Sequence, residues 1–287
     1  MTPPSDLRTA LQQTATMLAM RSDLRDRARQ DAPQLVELAT GLCRAQQLAS
    51  PHRLLGHEEV QALHTLVQRR LQAEPIQHLR GSQEFYGRDF IVSPDVLIPR
   101  PETEDIVAAV LEATPDRNTP LRIADVGTGS GILAVTLALE LPLSLVTGFE
   151  ISPAALAIAQ RNAHALGAAD RVHLVESDLL AAASDGECFD VIVSNPPYIP
   201  LTDAPTLHAE VRDHEPHLAL FAGEDGHDIY RRLIPEAHSH LRPGGLLLLE
   251  TGGRVDLIHR MLAEGFHDAV TRQDLQGIAR IVSARRN

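Results

Sequence analysis

Ser194-Asn195-Pro196-Pro197-Tyr198 closes an apolar run, Phe189 to Val193, that predicts a buried strand. The two prolines cannot extend it, because each lacks a backbone N–H and has a fixed φ. The strand therefore stops, and the chain turns with Asn195 and Tyr198 at its mouth. In an open α/β sheet, ligands bind just outside the carboxyl ends of strands, so Asn195 stands where chemistry is expected. Its side chain offers an accepting oxygen and a donating NH2, and the carbonyls around Pro196 are further acceptors. Such a pair can hold a planar –NH2 group, an amide or an exocyclic base amine, by its two N–H donors. The plainer reading of the same residues is a Pro-rich turn that caps a strand.

The surroundings favour a site. Strands are expected at Leu121 to Val126, Leu143 to Phe149, Val172 to Val175, Phe189 to Val193 and Leu246 to Glu250. Helices are expected between them, at Ile132 to Glu140, Pro153 to Leu166, Asp225 to Leu241 and Val255 to Ala263. This alternation predicts a parallel, doubly wound sheet. Two last strands, near His267 to Thr271 and Ala279 to Ala284, form a closing hairpin.

The first of these strands runs into Asp125-Val126-Gly127-Thr128-Gly129-Ser130-Gly131. Glycines there let the backbone approach a ligand closely. A dinucleotide fingerprint would carry a further glycine where Ile132 stands. The acidic-led order fits a nucleoside cofactor without a pyrophosphate better than NAD. Glu150 closes the second strand, where a carboxylate can accept both ribose hydroxyls. Asp178 ends the third and can meet an adenine amine or cap the next helix. Asp125 can face an ammonium group or brace the loop through backbone N–H groups. The glycine loop and Glu150 alone leave NAD and S-adenosyl-L-methionine open. Asn-Pro-Pro-Tyr decides between them, since that tetrapeptide at a strand end resembles the signature of S-adenosylmethionine-dependent methyltransferases acting on planar amines.

Composition sets the outer limits. The 287 residues suffice for a medium and a small domain. With 44% hydrophobic residues, 3% aromatics and no Trp, the core must be Leu, Val, Ile and Ala. The chain shows neither a long apolar span nor a signal-peptide pattern, so a cytoplasmic protein free of the membrane is expected. The net charge of −12, with all 26 basic residues Arg, argues against a large nucleic-acid substrate, whose phosphates need a basic footprint. Cys43 and Cys188 lack metal or redox spacing. His214 and His217, beside Asp213 and Glu215, lack a recognisable third ligand, and no metal site is expected.

Residues 1 to about 80 read as a small helical bundle. Apolar residues at helical spacing run from Leu7 to Arg29, and Pro33 is placed to open a second helix. A third carries Val60, Leu63, Val67 and Leu71 on one stripe and is stopped by Glu74-Pro75. The bundle is either a substrate-recognition domain or a stabilising cap. Glu84 to Val92 follows as a hairpin turning at Gly87. Residues 81–104 read as hairpin and linker, and 105–287 as the catalytic domain. Pro101 opens a helix reaching about Ala113.

Taken together, these segments resemble the bacterial release factor glutamine methyltransferases, the PrmC/HemK family. The resemblance rests on Glu74-Pro75-Ile76-Gln77-His78-Leu79, Glu84-Phe85-Tyr86-Gly87 and Leu97-Ile98-Pro99-Arg100-Pro101-Glu102-Thr103-Glu104. The glycine loop, Val193 to Ile199, Glu215-Pro216, and Leu246 to Glu250 followed by Gly252 complete it. It implies a Rossmann-like methyltransferase domain, with a mostly parallel seven-stranded sheet and a C-terminal antiparallel hairpin, behind a small helical bundle. It implies methyl transfer from S-adenosyl-L-methionine to the side-chain nitrogen of the glutamine in the Gly-Gly-Gln motif of class I peptide chain release factors. Cofactor contacts are implied at Gly127, Thr128, Gly129, Ser130, Gly131, Glu150, Asp178, Leu179 and Asn195, with Asp125 in support. Some relatives carry an aromatic at the position of Leu179, which here can only pack. Asn195, Pro196, Pro197 and Tyr198 are expected to hold the glutamine, with Tyr198 packed on its amide. A monomer is the default.

A DNA adenine N6- or rRNA guanine N2-methyltransferase would share Asn-Pro-Pro-Tyr, but would bring a basic recognition region. The first 85 residues carry 10 Arg against 9 acidic residues. A non-catalytic cofactor-binding regulator would have no use for an intact Asn195 to Tyr198. A NAD-dependent dehydrogenase fits the glycine spacing poorly.

Overall fold

The computed structural model describes residues 5–184 and 186–287. They form two compact units: one runs to Gly81 and takes in Thr206–His214, and the other holds Ser82–Pro205 and Glu215–Asn287.

The first unit is helical: α1 (Leu7–Ala19), α2 (Ala28–Thr40), α3 (Arg44–Ala49), α4 (His57–Leu71) and α5 (Ile76–Arg80). Asp6 starts α1, its carboxylate accepting from the Thr9 N–H at 2.8 Å, as a good N-cap does. Leu7, Ala10, Thr14 and Leu18 then bury one stripe at helical spacing. Two expectations fail here. The run from Leu7 to Arg29 is broken after Ala19, and Leu24 in the break is buried in the core shared by α1, α2 and α4. Pro33 lies inside α2 rather than at its start. Ala28, Ala32, Leu35 and Val36 make one buried stripe, and its burial outweighs the backbone hydrogen bond that the proline removes. One further helical turn, α5, ends at Gly81, whose φ of +78° is open to glycine at no steric cost.

In the second unit the hairpin pairs β1 (Ser82–Phe85) with β2 (Arg88–Ile91), antiparallel. Tyr86 and Gly87 both have positive φ, the geometry of a two-residue hairpin turn. The alternation then runs through α6 (Glu104–Ala113), β3 (Arg122–Val126), α7 (Ile132–Glu140), β4 (Leu145–Glu150), α8 (Pro153–Ala165), β5 (Val172–Glu176) and β6 (Phe189–Ser194). The short helix α9 (Ala209–His214) belongs to the first unit. The chain closes with α10 (Asp228–His240), β7 (Leu241–Glu250), α11 (Asp256–Leu262), β8 (Phe266–Gln273) and β9 (Ala279–Arg286). A 3₁₀ turn, Pro101–Thr103, precedes α6, where the sequence predicts an unbroken helix.

The seven strands of the main sheet lie in the order β5-β4-β3-β6-β7-β9-β8. From β5 to β7 neighbouring strands are parallel, and β9 pairs antiparallel with both β7 and β8. The sheet is thus the expected one, closing hairpin included. Ile123, Val191, Val193 and Leu248 face one apolar cluster, while Ala124, Ile192, Leu247 and Leu249 face another, so both faces are covered. Chain order reverses between β3 and β6, and the crevice that such a reversal opens at the carboxyl ends is where an α/β sheet binds ligands.

Candidate active site

A cavity of about 240 Å³ lies at that crevice. Asp125 and the glycine loop line it from β3, Glu150 from β4, Asp178 and Leu179 from beyond β5, and Asn195, Pro196 and Pro197 from beyond β6. Strand ends thereby bring these distant parts of the sequence to one place, and Pro99, Arg100 and Pro216 complete the wall.

Gly127, Gly129 and Gly131 all have positive φ, which lets the loop turn without side-chain penalty. At Gly131 a second reason applies. A Cβ there would lie 3.2 Å from the Cβ of Ala159, so glycine also permits the loop to seat on α8. Asn162 on the same helix fixes the seat: its Nδ2 donates to the Ser130 carbonyl at 2.8 Å and to the Ile91 carbonyl at 3.0 Å, while its Oδ1 accepts from the Ile91 N–H at 2.7 Å. The sequence carries no signal for this role of Asn162, since a polar residue within a helix reads as a solvated one.

Asp125 is buried, and Oδ2 braces the loop, accepting from Thr128 Oγ1 at 2.6 Å and from the Ala134 N–H at 3.0 Å. Oδ1 is buried with no hydrogen-bond partner among the described residues. Burial pushes this carboxyl up to about 7 against the hydrogen bonds that oppose it. An acceptor orphaned in a cavity wall fits a cationic group, as the ammonium of a methionine moiety would supply. Glu150 accepts from the Gly129 N–H at 2.9 Å through Oε2 and from the Ser152 N–H at 3.0 Å through Oε1. Its orientation is therefore set before any ligand arrives. These acceptors fit the nucleoside and amino-acid ends of S-adenosyl-L-methionine.

Asp178 neither caps a helix nor stands free. It pairs with Arg232 at 2.7 Å, half-exposed on the rim. Leu179 lines the cavity with a φ of +52°, a left-handed conformation unusual for a branched side chain.

Ser194 Oγ donates to the Val126 carbonyl at 2.6 Å, tying the end of β6 to the end of β3. Asn195 follows, and its Nδ2 donates to Thr103 Oγ1 at 3.1 Å. Thr103 Oγ1 in turn donates to Glu250 Oε2 at 2.7 Å. Tyr198 does not line the cavity; its ring lies against the Gly252 backbone, where an added Cβ would come within 2.8 Å of it. Burial, with the Glu250 carboxylate second, pushes its phenol up to about 12. The Ile98-Pro99-Arg100 strip is held by Glu215, which is buried and accepts from the Ile98 N–H at 3.1 Å and from Arg100 at 2.5 Å. Thus Glu215 serves the cavity wall as an anchor. His214 instead makes a 2.9 Å contact to the Gln72 carbonyl within the first unit.

Family models match two parts of the chain: the methyltransferase small domain over residues 102–209 and the PrmC N-terminal domain over residues 9–81. The chain is 46% identical over 259 residues to the release factor glutamine methyltransferase of Koribacter versatilis, covering 90% of this chain and 91% of that one. With its counterpart from Geobacter sulfurreducens it shares 45% identity over 262 residues, 91% of this chain and 90% of the other. Among solved structures, the T. thermophilus 16S rRNA N2 G1207 methyltransferase in complex with AdoMet and guanosine superposes with a TM-score of 0.55 at 20% identity, over 72% of this chain and 50% of that one. The hMettl16 catalytic domain superposes with a TM-score of 0.57 at 17% identity, over 91% and 94%. Those two likenesses concern the fold, which is that of the S-adenosylmethionine-dependent methyltransferases. Near-full-length identity to enzymes of one name goes further, and the chain belongs to the release factor glutamine methyltransferase family.

Proposed function

We propose that this enzyme methylates the side-chain nitrogen (N5) of the glutamine in the Gly-Gly-Gln motif of class I peptide chain release factors, and that Asn195 holds that amide. The observation behind the Asn195 assignment is the bond from its Nδ2 to Thr103, which turns the carboxamide of a side chain on the cavity wall so that Oδ1, without a partner among the described residues, is left to accept. An amide substrate presents two N–H donors, so an acceptor is what it requires.

S-Adenosyl-L-methionine, when bound, supplies a methyl group activated on a sulfonium. Asp125 Oδ1 would take the ammonium of that cofactor, Glu150 its ribose hydroxyls, and the glycine loop and Leu179 would line its length. An amide nitrogen is a weak nucleophile because its lone pair is delocalised into the carbonyl. Asn195 Oδ1 and the Pro196 carbonyl would accept its two N–H groups and place negative dipoles where positive charge develops on nitrogen. By fixing the amide nitrogen in place, these two acceptors would supply the proximity effect when the methyl donor is bound. Tyr198, seated on Gly252, would hold the turn in shape behind the amide. The methylated amide is strongly acidic and loses its proton after transfer, so no base is needed before attack.

The helical unit would supply recognition of the protein substrate. The reading further places the enzyme in the cytoplasm as a monomer without direct nucleic-acid contact. No helix among the described residues is long and apolar enough to cross a membrane.

The test is methyl transfer from labelled S-adenosylmethionine to a purified release factor, beside a copy whose Gly-Gly-Gln glutamine is changed to alanine. Label on the first alone is expected. Label on neither, with label on DNA or rRNA, overturns the substrate. Asn195→Ala is expected to lower kcat by about 10²-fold with little change in cofactor affinity; unchanged turnover removes Asn195 from the mechanism.

A further inference from the structure

Thr103 occupies the residue before α6, where a threonine hydroxyl ordinarily accepts from the first turn of its helix. Here it caps nothing. It is wholly buried, and its hydroxyl joins two residues far apart in the chain: Glu250 at the end of β7, 2.7 Å away, and Asn195, 3.1 Å away. Glu250 is itself buried, on a strand otherwise apolar from Leu246 onward. Burying a carboxylate there is costly. Neither residue lines the cavity.

We propose that Thr103 and Glu250 are positioning residues that lock the carboxamide of Asn195 with its oxygen toward the substrate amide. The inference rests on the assignment of Asn195 above. A hydroxyl has one hydrogen to give. An ionised Glu250 only accepts, so it claims that hydrogen. The lone pairs of Thr103 can then only accept, and the Asn195 group that faces them must be NH2. The carboxamide is held in one of its two orientations, the one that presents an acceptor.

Protonation of Glu250 reverses the polarity of the chain. The acid donates to Thr103, the hydroxyl hydrogen is free to turn to Asn195, and the carboxamide can present NH2 where the substrate also presents N–H donors. The groups around Glu250 are Glu102 on the turn before α6, Arg100 just ahead of it, Arg280 on β9, and the phenols of Tyr198 and Tyr230. Burial first, and Glu102 after it, push the carboxyl up to about 7; Thr103 and the two arginines oppose them. Turnover therefore rises as pH climbs through neutrality.

The experiment compares the full-length wild type with Thr103→Val, Thr103→Ser, Glu250→Gln and Asn195→Ala, using a release factor as substrate. Readouts are kcat from about pH 6 to pH 9 and cofactor affinity by calorimetry. Thr103→Val keeps the volume but not the hydroxyl. It is expected to lose about 10²-fold in kcat, the scale of a misplaced reacting group, with cofactor affinity within about twofold. Thr103→Ser restores turnover. The wild type shows an acid limb near neutrality that Glu250→Gln lacks. Wild-type turnover in Thr103→Val beside an inactive Asn195→Ala overturns the relay while leaving Asn195 in place. Full activity of Asn195→Ala overturns the reading beneath both. A Thr103→Val protein that cannot bind cofactor, or an acid limb that survives in Glu250→Gln, also overturns the proposal.

Discussion

Arg70→Met tests what holds the helical unit together. The Arg70 side chain is fully buried, with Nε on Asp31 Oδ2 at 2.8 Å, Nη2 on Glu210 Oε1 at 2.5 Å and Nη1 on the Glu74 carbonyl at 3.1 Å. Methionine fills much of the space and satisfies none of the three. Glu210 keeps a second partner, Arg27, at 2.8 Å. Asp31 keeps none of comparable burial, and its own side chain is only 7% exposed. Removing one member of a buried pair costs about 3–5 kcal/mol, because the other charge is stranded. A unit of this size has roughly 4–13 kcal/mol in hand at about 0.05–0.15 kcal/mol per residue. The variant should fold while exchanging protected amides of α2 and α4 faster by about 10²-fold or more, read by hydrogen exchange in the full chain. The sign of its pH dependence is set as well. Burial raises the Asp31 carboxyl above its ordinary value even with Arg70 beside it, and losing Arg70 raises it further. Protonated Asp31 needs no cation, so the deficit should shrink as pH falls toward that raised value. Arg70→Met with Asp31→Leu should recover most of the loss, since an apolar replacement of the pair strands nothing. Exchange within about 1 kcal/mol of wild type, or a deficit that grows on acidification, refutes the reasoning.

Gly252→Ala brings a Cβ within 2.8 Å of the Tyr198 ring, so the ring must leave its seat. Methyl transfer is expected to fall by about tenfold with cofactor affinity unchanged; wild-type turnover would show that the seat does not matter. The carboxyls of Asp125 and Glu250 both sit at about 7 in the folded chain, against about 4 when unfolded. The native state thus binds their protons more tightly, and the stability they contribute is present below the unfolded values and lost as pH rises toward 7. In the absence of cofactor, Asp125→Asn should flatten the fall in melting temperature between about pH 5 and pH 7; an unchanged slope contradicts the assignment.

Strand ends carried most of what the sequence disclosed. The β6 end is legible because Pro196 and Pro197 forbid any other course, and the glycine loop because its spacing departs from the dinucleotide pattern at Ile132. Such signals are local. Thr103 and Glu250 meet across 147 positions, and no periodicity announces a partnership of that range. The stretch from Ile199 to Glu224 offers no such signal, because a six-residue helix such as α9 is too short for an amphipathic repeat. Pro33 misled for the opposite reason: a strong local signal for a helix start was overruled by a buried stripe that begins at Ala28. Tyr198 was legible as a site residue, but not its seat on Gly252, since side-chain direction beyond a turn depends on packing.

The residence of Thr206–His214 in the helical unit limits how this protein can be divided. The chain crosses between the units at Gly81, again after Pro205 and once more after His214. Cutting it at Gly81 would not release two modules. The C-terminal fragment would carry α9 away from Arg70 and Arg27 and leave Glu210 without either cation. The helical fragment would keep Arg70 and lose one of its two carboxylates. A grafted helical unit from a relative would have to bring its own version of this segment, so recombination between family members should succeed only where both stretches are exchanged together.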